Sequence, residues 1–407
     1  MTQISQTGSA RTQPGVPLAA RPLIRWLARF RTGTLRLHLP DGRSLMFGGE
    51  IDGPAAEMTL HRPARLVARV LHRGDIGFAE SFMAGEWDTP ALAPLIQVMA
   101  SNEHAYNATP AGRWYTRALL GLLHRLRANT LRGSRRNIAY HYDLGNDFYR
   151  LWLDETMTYS SALFAEPEQP LADAQRNKYR RTLDELGAQP GERVLEIGCG
   201  WGGFAREAAG AGLAVTGLTL SREQLAWAQS ALAEADLNDR ADLCLQDYRE
   251  VSGQFDHIVS IEMFEAVGQE HWPAFFDTVY RCLRPGGRAL LQIITIDEAS
   301  WPVYTGGPDF IQRYIFPGGM LPTEHHVREG LGAAGLHCER VTSHAGDYAD
   351  TLLAWHERFL ACSDQVRAQG FDERFRRMWR YYLGYCEGGF RCGRIDLQRF
   401  LVRRPHA

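Results

Sequence analysis

The stretch VLEIGCGWGG, residues 194–203, decides the fold of this chain. Val194, Leu195 and Ile197 lead into glycines at 198, 200, 202 and 203, and FAREAAG continues behind them in a helical pattern. The order is strand, tight glycine turn, helix N-terminus. Glycines suit such a turn because the backbone must approach a ligand closely, and the first-turn N–H groups of the helix then face whatever is bound.

Gly198-x-Gly200-x-x-Gly203 also fits a dinucleotide fingerprint, so the glycines alone do not separate a nicotinamide enzyme from a methyltransferase. Glu196, at the strand tip, suits the amino-acid end or sugar of an adenosyl ligand better than a pyrophosphate. About 20 residues on, where a dinucleotide fold wants an acid for the ribose, the chain reads GLTLS, 217–221, without one. These details point to S-adenosylmethionine. A nicotinamide or flavin is the weaker alternative, and a structural turn without ligand is weaker still.

At 407 residues the chain has room for two domains, and its 45% apolar share is ordinary for a globular protein. No window approaches the ~18 consecutive apolar residues of a membrane span. Residues 1–20, rich in Thr, Gln, Ser, Gly and Pro, lack the apolar centre of a secretory signal and read as the disordered start of a cytoplasmic protein. Cys199, Cys244, Cys282, Cys338, Cys362, Cys386 and Cys392 form an odd set with no CxxC pair. That argues against a disulfide framework or a metal site and for packed, reduced thiols.

Charge is unevenly spread. The first forty residues contain no acid and include Arg21, Arg25, Arg29 and Arg31. Residues 113–136, RWYTRALLGLLHRLRANTLRGSRR, carry seven arginines and no acid, with Trp114, Leu119, Leu122, Leu123 and Leu126 near helical spacing. Residues 111–140 therefore read as a basic amphipathic connecting helix suited to an anionic lipid surface. A nucleic-acid groove would attract the same charge, and a solvated linker helix is the plain alternative.

Residues 34–51 alternate around Pro40-Asp41-Gly42 as a hairpin, 65–89 follow as helix, turn and helix, and 91–102 as a short helix. Together they outline a small α+β domain over 21–110. From about 170 the chain alternates helix and strand in the α/β manner. Strands are expected at 193–197, 214–219, 242–246, 257–262, 288–295, 336–343 and 396–403, with helices opened by Ser221, Glu270 and Thr323 and a sharp turn at 285–287. Ligand residues should gather at the carboxyl ends of the first three strands, which carry Glu196 and the glycines, then Thr219 and Ser221, then Gln246, Asp247 and Tyr248. Insertions at about 300–322 and 346–390 are rich in Trp, Tyr and Phe. They read as core or as a lid over an apolar channel suited to an acyl chain. His325 and His326 open a helix as surface or capping residues.

GDIGFAESFMAGEWD, HYDLGNDFYRLWLD, VLEIGCGWGG, VTGLTLSREQ, LQDYRE, SIEMFEAVG, IQRYIFPGGMLP and DYADTLLAWHERF follow one another from about residue 65 to the C-terminus. In this order and spacing the chain resembles the cyclopropane-fatty-acyl-phospholipid synthase family of S-adenosylmethionine-dependent methyltransferases. The resemblance implies a class I methyltransferase fold over 141–407: Rossmann-like, α/β, with a seven-stranded mostly parallel sheet. It also implies roles. Tyr159 and Ser160 would bond the methionine carboxylate; Glu196, Gly198 and Gly200 would cradle the sulfonium ligand; Thr219 and Gln224 would take the ribose; Asp247 and Tyr248 would flank the adenine. His141 would lie beside the cofactor lid, in a structural or a catalytic role.

In ring-forming members an acyl double bond takes the methyl group, and a bicarbonate ion held by cysteine, glutamate, histidine and tyrosine is the proposed base. Glu265 and Tyr348 match the glutamate and tyrosine. Ser161 stands at the cysteine position, in YSSA, and Ile294 at the histidine position, in ITI, where it has no side-chain donor. This departure from the pattern points to another base, such as water organised by Glu265, and to a methyl- or methylene-branched chain as well as a ring. Cys386 matches a cysteine that the family treats as catalytic, although alkene methylation needs no thiol nucleophile.

The expectation is thus an enzyme on the inner face of the cytoplasmic membrane, methylating unsaturated phospholipid acyl chains, with no nucleic-acid partner and with a homodimer left open. The alternatives are a methyltransferase for a soluble oxygen or nitrogen nucleophile, and a lipid-binding regulator without turnover.

Overall fold

The computed structural model describes residues 20–103 and 144–406. The chain divides into two compact units, Met1–Gly121 with Val366–Cys392, and Leu122–Gln365 with Gly393–Ala407. The expected disordered start and basic helix lie outside the described residues, apart from Ala20.

In the first unit, α1 (Arg21–Leu27) leads into β1 (Thr32–His38) and β2 (Ser44–Gly48), the expected hairpin. A further strand, β3 (Ile51–Leu60), runs parallel to β1, and β4 (Trp87–Asp88) closes the order β2-β1-β3-β4. Gly53, Pro54 and two alanines weaken the alternation of β3, so no strand signal stands out there in the sequence. α2 (Pro63–Met83) is broken at Gly74, where φ is 59° and ψ −131°, so helix, turn and helix is what forms. α3 (Leu92–Ser101) follows.

The expected insertion 346–390 is divided by the structure. Its second half, α14 (Glu373–Arg391), belongs to this first unit and packs on α3. Gly384 and Gly388, one turn apart, make that contact close: a Cβ on Gly384 would lie 2.4 Å from the Leu92 Cβ, and one on Gly388 would lie 2.7 Å from the Ile96 Cβ. Its aromatic residues Trp379, Tyr381, Tyr382 and Phe390 are core.

The second unit opens with α4 (Asn146–Arg150) and α5 (Leu171–Leu186). Its sheet contains β5 (Arg193–Ile197), β6 (Ala214–Thr219), β7 (Ala241–Leu245), β8 (Phe255–Ile261), β9 (Leu283–Ile296), β10 (His337–Ser343) and β11 (Ile395–Arg403). All seven expected strands are present, in the order β10-β11-β9-β8-β5-β6-β7, and only β11 runs against the others, antiparallel to both β9 and β10. Helices α6 (Gly203–Gly210), α7 (Arg222–Glu234), α8 (Trp272–Cys282) and α11 (Glu324–Ala333) fill the crossovers. β5 is buried on both faces: Leu195 and Ile197 enter one core with Ile258 and Phe275, while Val194 enters the other with Phe204 and Val215.

The expected turn at 285–287 is instead an irregularity inside β9, which already pairs at Leu283 with Phe255; Gly286, at φ 78°, absorbs the register shift. The insertion after β9 forms α9 (Trp301–Tyr304) and α10 (Phe310–Tyr314), and the remaining helices are α12 (Ala345–Ala361) and α13 (Ser363–Ala368). Because the chain passes from β5 to β6 on one side and lays β8 on the other, the carboxyl end of β5 is a topological switch point, where such sheets bind ligands.

Candidate functional site

At that switch point Gly198 and Gly200 take φ 89° and 51°, conformations in which a side chain is strained. A Cβ on Gly198 would lie 2.8 Å from Met263, whereas one on Gly200 would project into open space. Glu196 is buried at the β5 tip, and its Oε2 has no partner among the described residues. Burial pushes its pKa up to about 8, against the pull of Lys178. A buried carboxylate beside an open glycine turn fits a ligand that carries cationic and hydrogen-bonding groups, as S-adenosylmethionine does.

The β6 end brings two expected residues together. Thr219 Oγ1 donates to Gln224 Oε1 at 3.1 Å, and Ser221 caps α7 by accepting from the Gln224 N–H. Asp247 is committed locally: it accepts from the Arg249 backbone N–H and side chain and caps the turn Tyr248–Glu250. Tyr248 lies edge-on to Phe275, and burial raises its pKa to about 12. Tyr159 lies among Tyr149, Trp152 and Trp355, with ring centroids 5.3 to 5.6 Å away.

The densest chemistry is at the carboxyl end of β8, around a residue that the sequence reading passed over. Glu262 leaves the strand at φ 50° with its half-buried side chain against three donors. Its Oε1 accepts from the Ser161 backbone N–H at 2.8 Å and from Gln292 Nε2 at 2.9 Å; its Oε2 accepts from the Tyr348 hydroxyl at 2.6 Å. Burial raises the pKa of Glu262, opposed by Lys178 and these three donors. Gln292 is fixed in turn by the fully buried Arg399, whose Nη1 donates to Gln292 Oε1 at 3.0 Å and whose Nη2 donates to Thr182 and Glu185.

The neighbouring site residues meet this cluster and Glu265. Tyr348 bonds Glu262. Ser161 contributes its main-chain N–H, because its hydroxyl donates to the Ala162 carbonyl. Ile294 does donate, through its backbone N–H to Glu265 Oε1, since a strand exposes main-chain donors whatever its side chains are. The side-chain donor on β9 is Gln292, two residues earlier and so on the same face. Glu265 Oε2 is left buried without a described partner, and burial, then the Glu262 charge, push the Glu265 pKa up to about 8. Glu262 was legible as a carboxylate ending the strand HIVSIE, and Gln292 as the one amide within RALLQIIT.

Segment 158–164 is held to α12 by Ala162 N–H donating to Thr351 Oγ1 and Phe164 N–H donating to Asp347 Oδ1. Tyr348 and Trp355 share α12, their rings 6.3 Å apart. His326 completes a capping box with Thr323 at the start of α11, as a capping residue would, and stacks near Trp301. Cys386 lies on α14, a helix of the first unit. His141 lies outside the described residues.

Residues 129–400 match the family described as mycolic acid cyclopropane synthetase. The chain belongs to this family. It is 40% identical over 404 residues to the tuberculostearic acid methyltransferase UfaA1 of Mycobacterium tuberculosis, covering 96% of this chain and 93% of that protein. It is 36% identical over 343 residues to the cyclopropane-fatty-acyl-phospholipid synthase of Escherichia coli strain K12, covering 83% and 85%. Among solved structures, the mycolic acid cyclopropane synthase CmaA1 complexed with SAH and CTAB superposes with a TM-score of 0.62 at 36% identity, over 66% of this chain and 98% of that one. This member of the family is accordingly an S-adenosylmethionine-dependent C-methyltransferase of fatty acyl chains, built on the class I methyltransferase fold.

Proposed function

We propose that this enzyme methylates the double bond of an unsaturated phospholipid acyl chain and releases a methylene-branched chain, with Glu262 as the base. The observation that carries this reading is the hydrogen bonding of the Glu262 carboxylate. It already takes the hydroxyl of Tyr348, which matches a bicarbonate-holding residue, and the N–H of Ser161, whose own hydroxyl is spent on the Ala162 carbonyl. Ile294, at the histidine position, has no side-chain donor, and its N–H serves Glu265. The residues present therefore do not fit a bicarbonate ion.

S-adenosylmethionine, when bound, supplies an electrophilic methyl group, and its transfer to the alkene leaves a carbocation on the acyl chain. The glycine turn and Glu196 hold the donor, with Thr219 and Gln224 on its ribose side. The π faces of Tyr159 and Trp355 face a developing cation at low cost and exclude water. A hydride shift places the cation on the methyl-bearing carbon. Glu262 then takes a proton from the new methyl group, and the C–H electron pair becomes the double bond of a branching methylene. Three donors keep that carboxylate ionised and aimed in one direction, while burial makes it a stronger base than a solvated glutamate.

Among the described residues no helix is long and apolar enough to cross a membrane. We place the enzyme at an anionic lipid surface through the basic segment 113–136, on the cytoplasmic side. The test combines purified enzyme, methyl-labelled S-adenosylmethionine and vesicles of unsaturated phospholipid, with the lipid read by proton NMR. Vinylic signals of a branching methylene are expected. Upfield cyclopropyl signals alone would overturn the branched product, and absence of label in lipid would overturn the substrate.

A further inference from the structure

Lys178, on α5, is fully buried, yet among the described residues no carboxylate lies within 4.0 Å of its ammonium. Its Nζ donates to Ser160 Oγ at 2.6 Å and to Gln175 Oε1 at 2.7 Å. Gln175 Nε2 closes the cluster by donating to the Ser160 carbonyl at 2.8 Å. Isolating an ammonium from water costs several kcal/mol unless a counter-charge is supplied. The groups acting on it electrostatically are Glu262, Asp154 and Glu196, with Arg399 opposing them; none of the three acids is in ion-pair contact, and burial brings the amine down to about 7.

Ser160 carries the second observation. Its oxygen accepts the lysine proton, so its own hydroxyl proton must go elsewhere, and no described residue accepts it. Ser160 sits in a segment that touches both halves of the site. Two residues before it, Thr158 bonds the Tyr179 hydroxyl at 2.9 Å, and that hydroxyl packs against Gly203 of the glycine turn. One residue after it, Ser161 bonds Glu262. A buried cation backing an unspent hydroxyl, between the cofactor turn and the base, is arranged for an anion. The methyl donor has a single anionic group, its methionyl carboxylate.

We propose that Lys178 is the counter-charge for the methionyl carboxylate of the methyl donor, acting through the Ser160 hydroxyl as a positioning residue. It rests on the reading that S-adenosylmethionine binds at this turn. Lys178 donates to Ser160, Ser160 donates to the carboxylate, and Gln175 keeps both in register. The same arrangement stations a positive charge behind the amino-acid end of the ligand, away from the sulfonium, and balances the nearby acids before Glu262 acts.

The test compares two ligands by calorimetric titration of the full-length chain. S-adenosylhomocysteine carries the carboxylate; methylthioadenosine has the same nucleoside and thioether but no amino-acid group. Lys178→Met should weaken S-adenosylhomocysteine by about 10- to 100-fold and leave methylthioadenosine within about twofold, the loss of one charge-assisted hydrogen bond. Lys178→Arg should restore most of the affinity. Ser160→Ala, which removes no buried charge, should show the same selective loss and carries the test if the methionine variant does not fold. Equal loss of both ligands, or unchanged S-adenosylhomocysteine affinity in Ser160→Ala and the lysine variants, would overturn the proposal while leaving the cofactor reading intact. A wild-type chain that binds neither ligand would overturn both.

Discussion

The hydroxyl of Tyr348 donates to Oε2 of Glu262 at 2.6 Å, joining α12 to the carboxyl end of β8 across 86 residues of sequence. With Ser161 and Gln292 on the other oxygen, this bond turns a half-buried glutamate into an oriented acceptor. Glu262→Gln should lower turnover by about a thousandfold while S-adenosylmethionine binding stays within about threefold, since a general base contributes on the order of 10²–10⁴. Single-turnover rates beside cofactor titrations check it. A variant that keeps wild-type turnover assigns the base elsewhere.

Bicarbonate dependence separates the two candidate bases. With its expected donors already engaged by Glu262 and Glu265, the wild-type enzyme should turn over equally fast in bicarbonate-stripped and bicarbonate-supplemented buffer. A rate that rises with added bicarbonate at constant pH would contradict this.

Glu265 and Glu196 make stability depend on pH. Burial raises both from an ordinary 4.5 to about 8, so the folded chain holds protons that the unfolded chain has released. Their contribution is present in full below the unfolded pKa and is lost as pH rises through the folded one. The Tm of the ligand-free enzyme should fall by several degrees between about pH 5 and about pH 9. Glu265→Gln keeps an acceptor for the Ile294 N–H but cannot ionise, so differential scanning fluorimetry should show a flatter profile for it.

Gln292 stands between a half-buried carboxylate and a buried guanidinium. Gln292→Leu leaves Arg399 Nη1 without its acceptor and removes a donor from Glu262, which should cost about 1–3 kcal/mol of stability. Arg399→Met removes the donor shared by the Gln292 and Thr182 oxygens, while Glu185 keeps Arg340 at 3.2 Å and Arg181 at 3.7 Å, and should cost a similar amount, about 1–3 kcal/mol. Urea unfolding checks both, and the two losses should fall short of additivity in the double variant because they remove one network.

Two glycines of the same turn should respond differently. Gly200→Ala places its Cβ in open space at a φ that alanine tolerates for about 1–2 kcal/mol, so it should fold while blocking the cofactor and weakening S-adenosylhomocysteine by at least about tenfold. Gly203→Ala would set its Cβ 2.6 Å from the Tyr179 hydroxyl and should lose stability first. Thermal melts beside ligand titrations distinguish the two.

The seven strands and the glycine turn were legible because each is a local pattern: an apolar run, a turn residue, a cap such as Ser221 or Thr323; their mostly parallel pairing came from the family resemblance. β3 was not, because glycine, proline and alanine blur its alternation. The division of 346–390 was not either, because Gly384 and Gly388 read as helix weaknesses until Leu92 and Ile96 are seen against them.

By itself, the sequence determined the fold, the methyl donor and the acyl substrate class, since short-range pattern and an ordered motif series carry them. Only the tertiary structure decided which acid gathers the donors of Ser161, Gln292 and Tyr348, that Gln292 and not Ile294 supplies a side-chain donor, and that Lys178 backs Ser160. Those facts depend on where side chains from β8, β9, α5 and α12 point once packed. A hydrogen bond between residues 86 apart leaves no periodic trace in the chain that makes it.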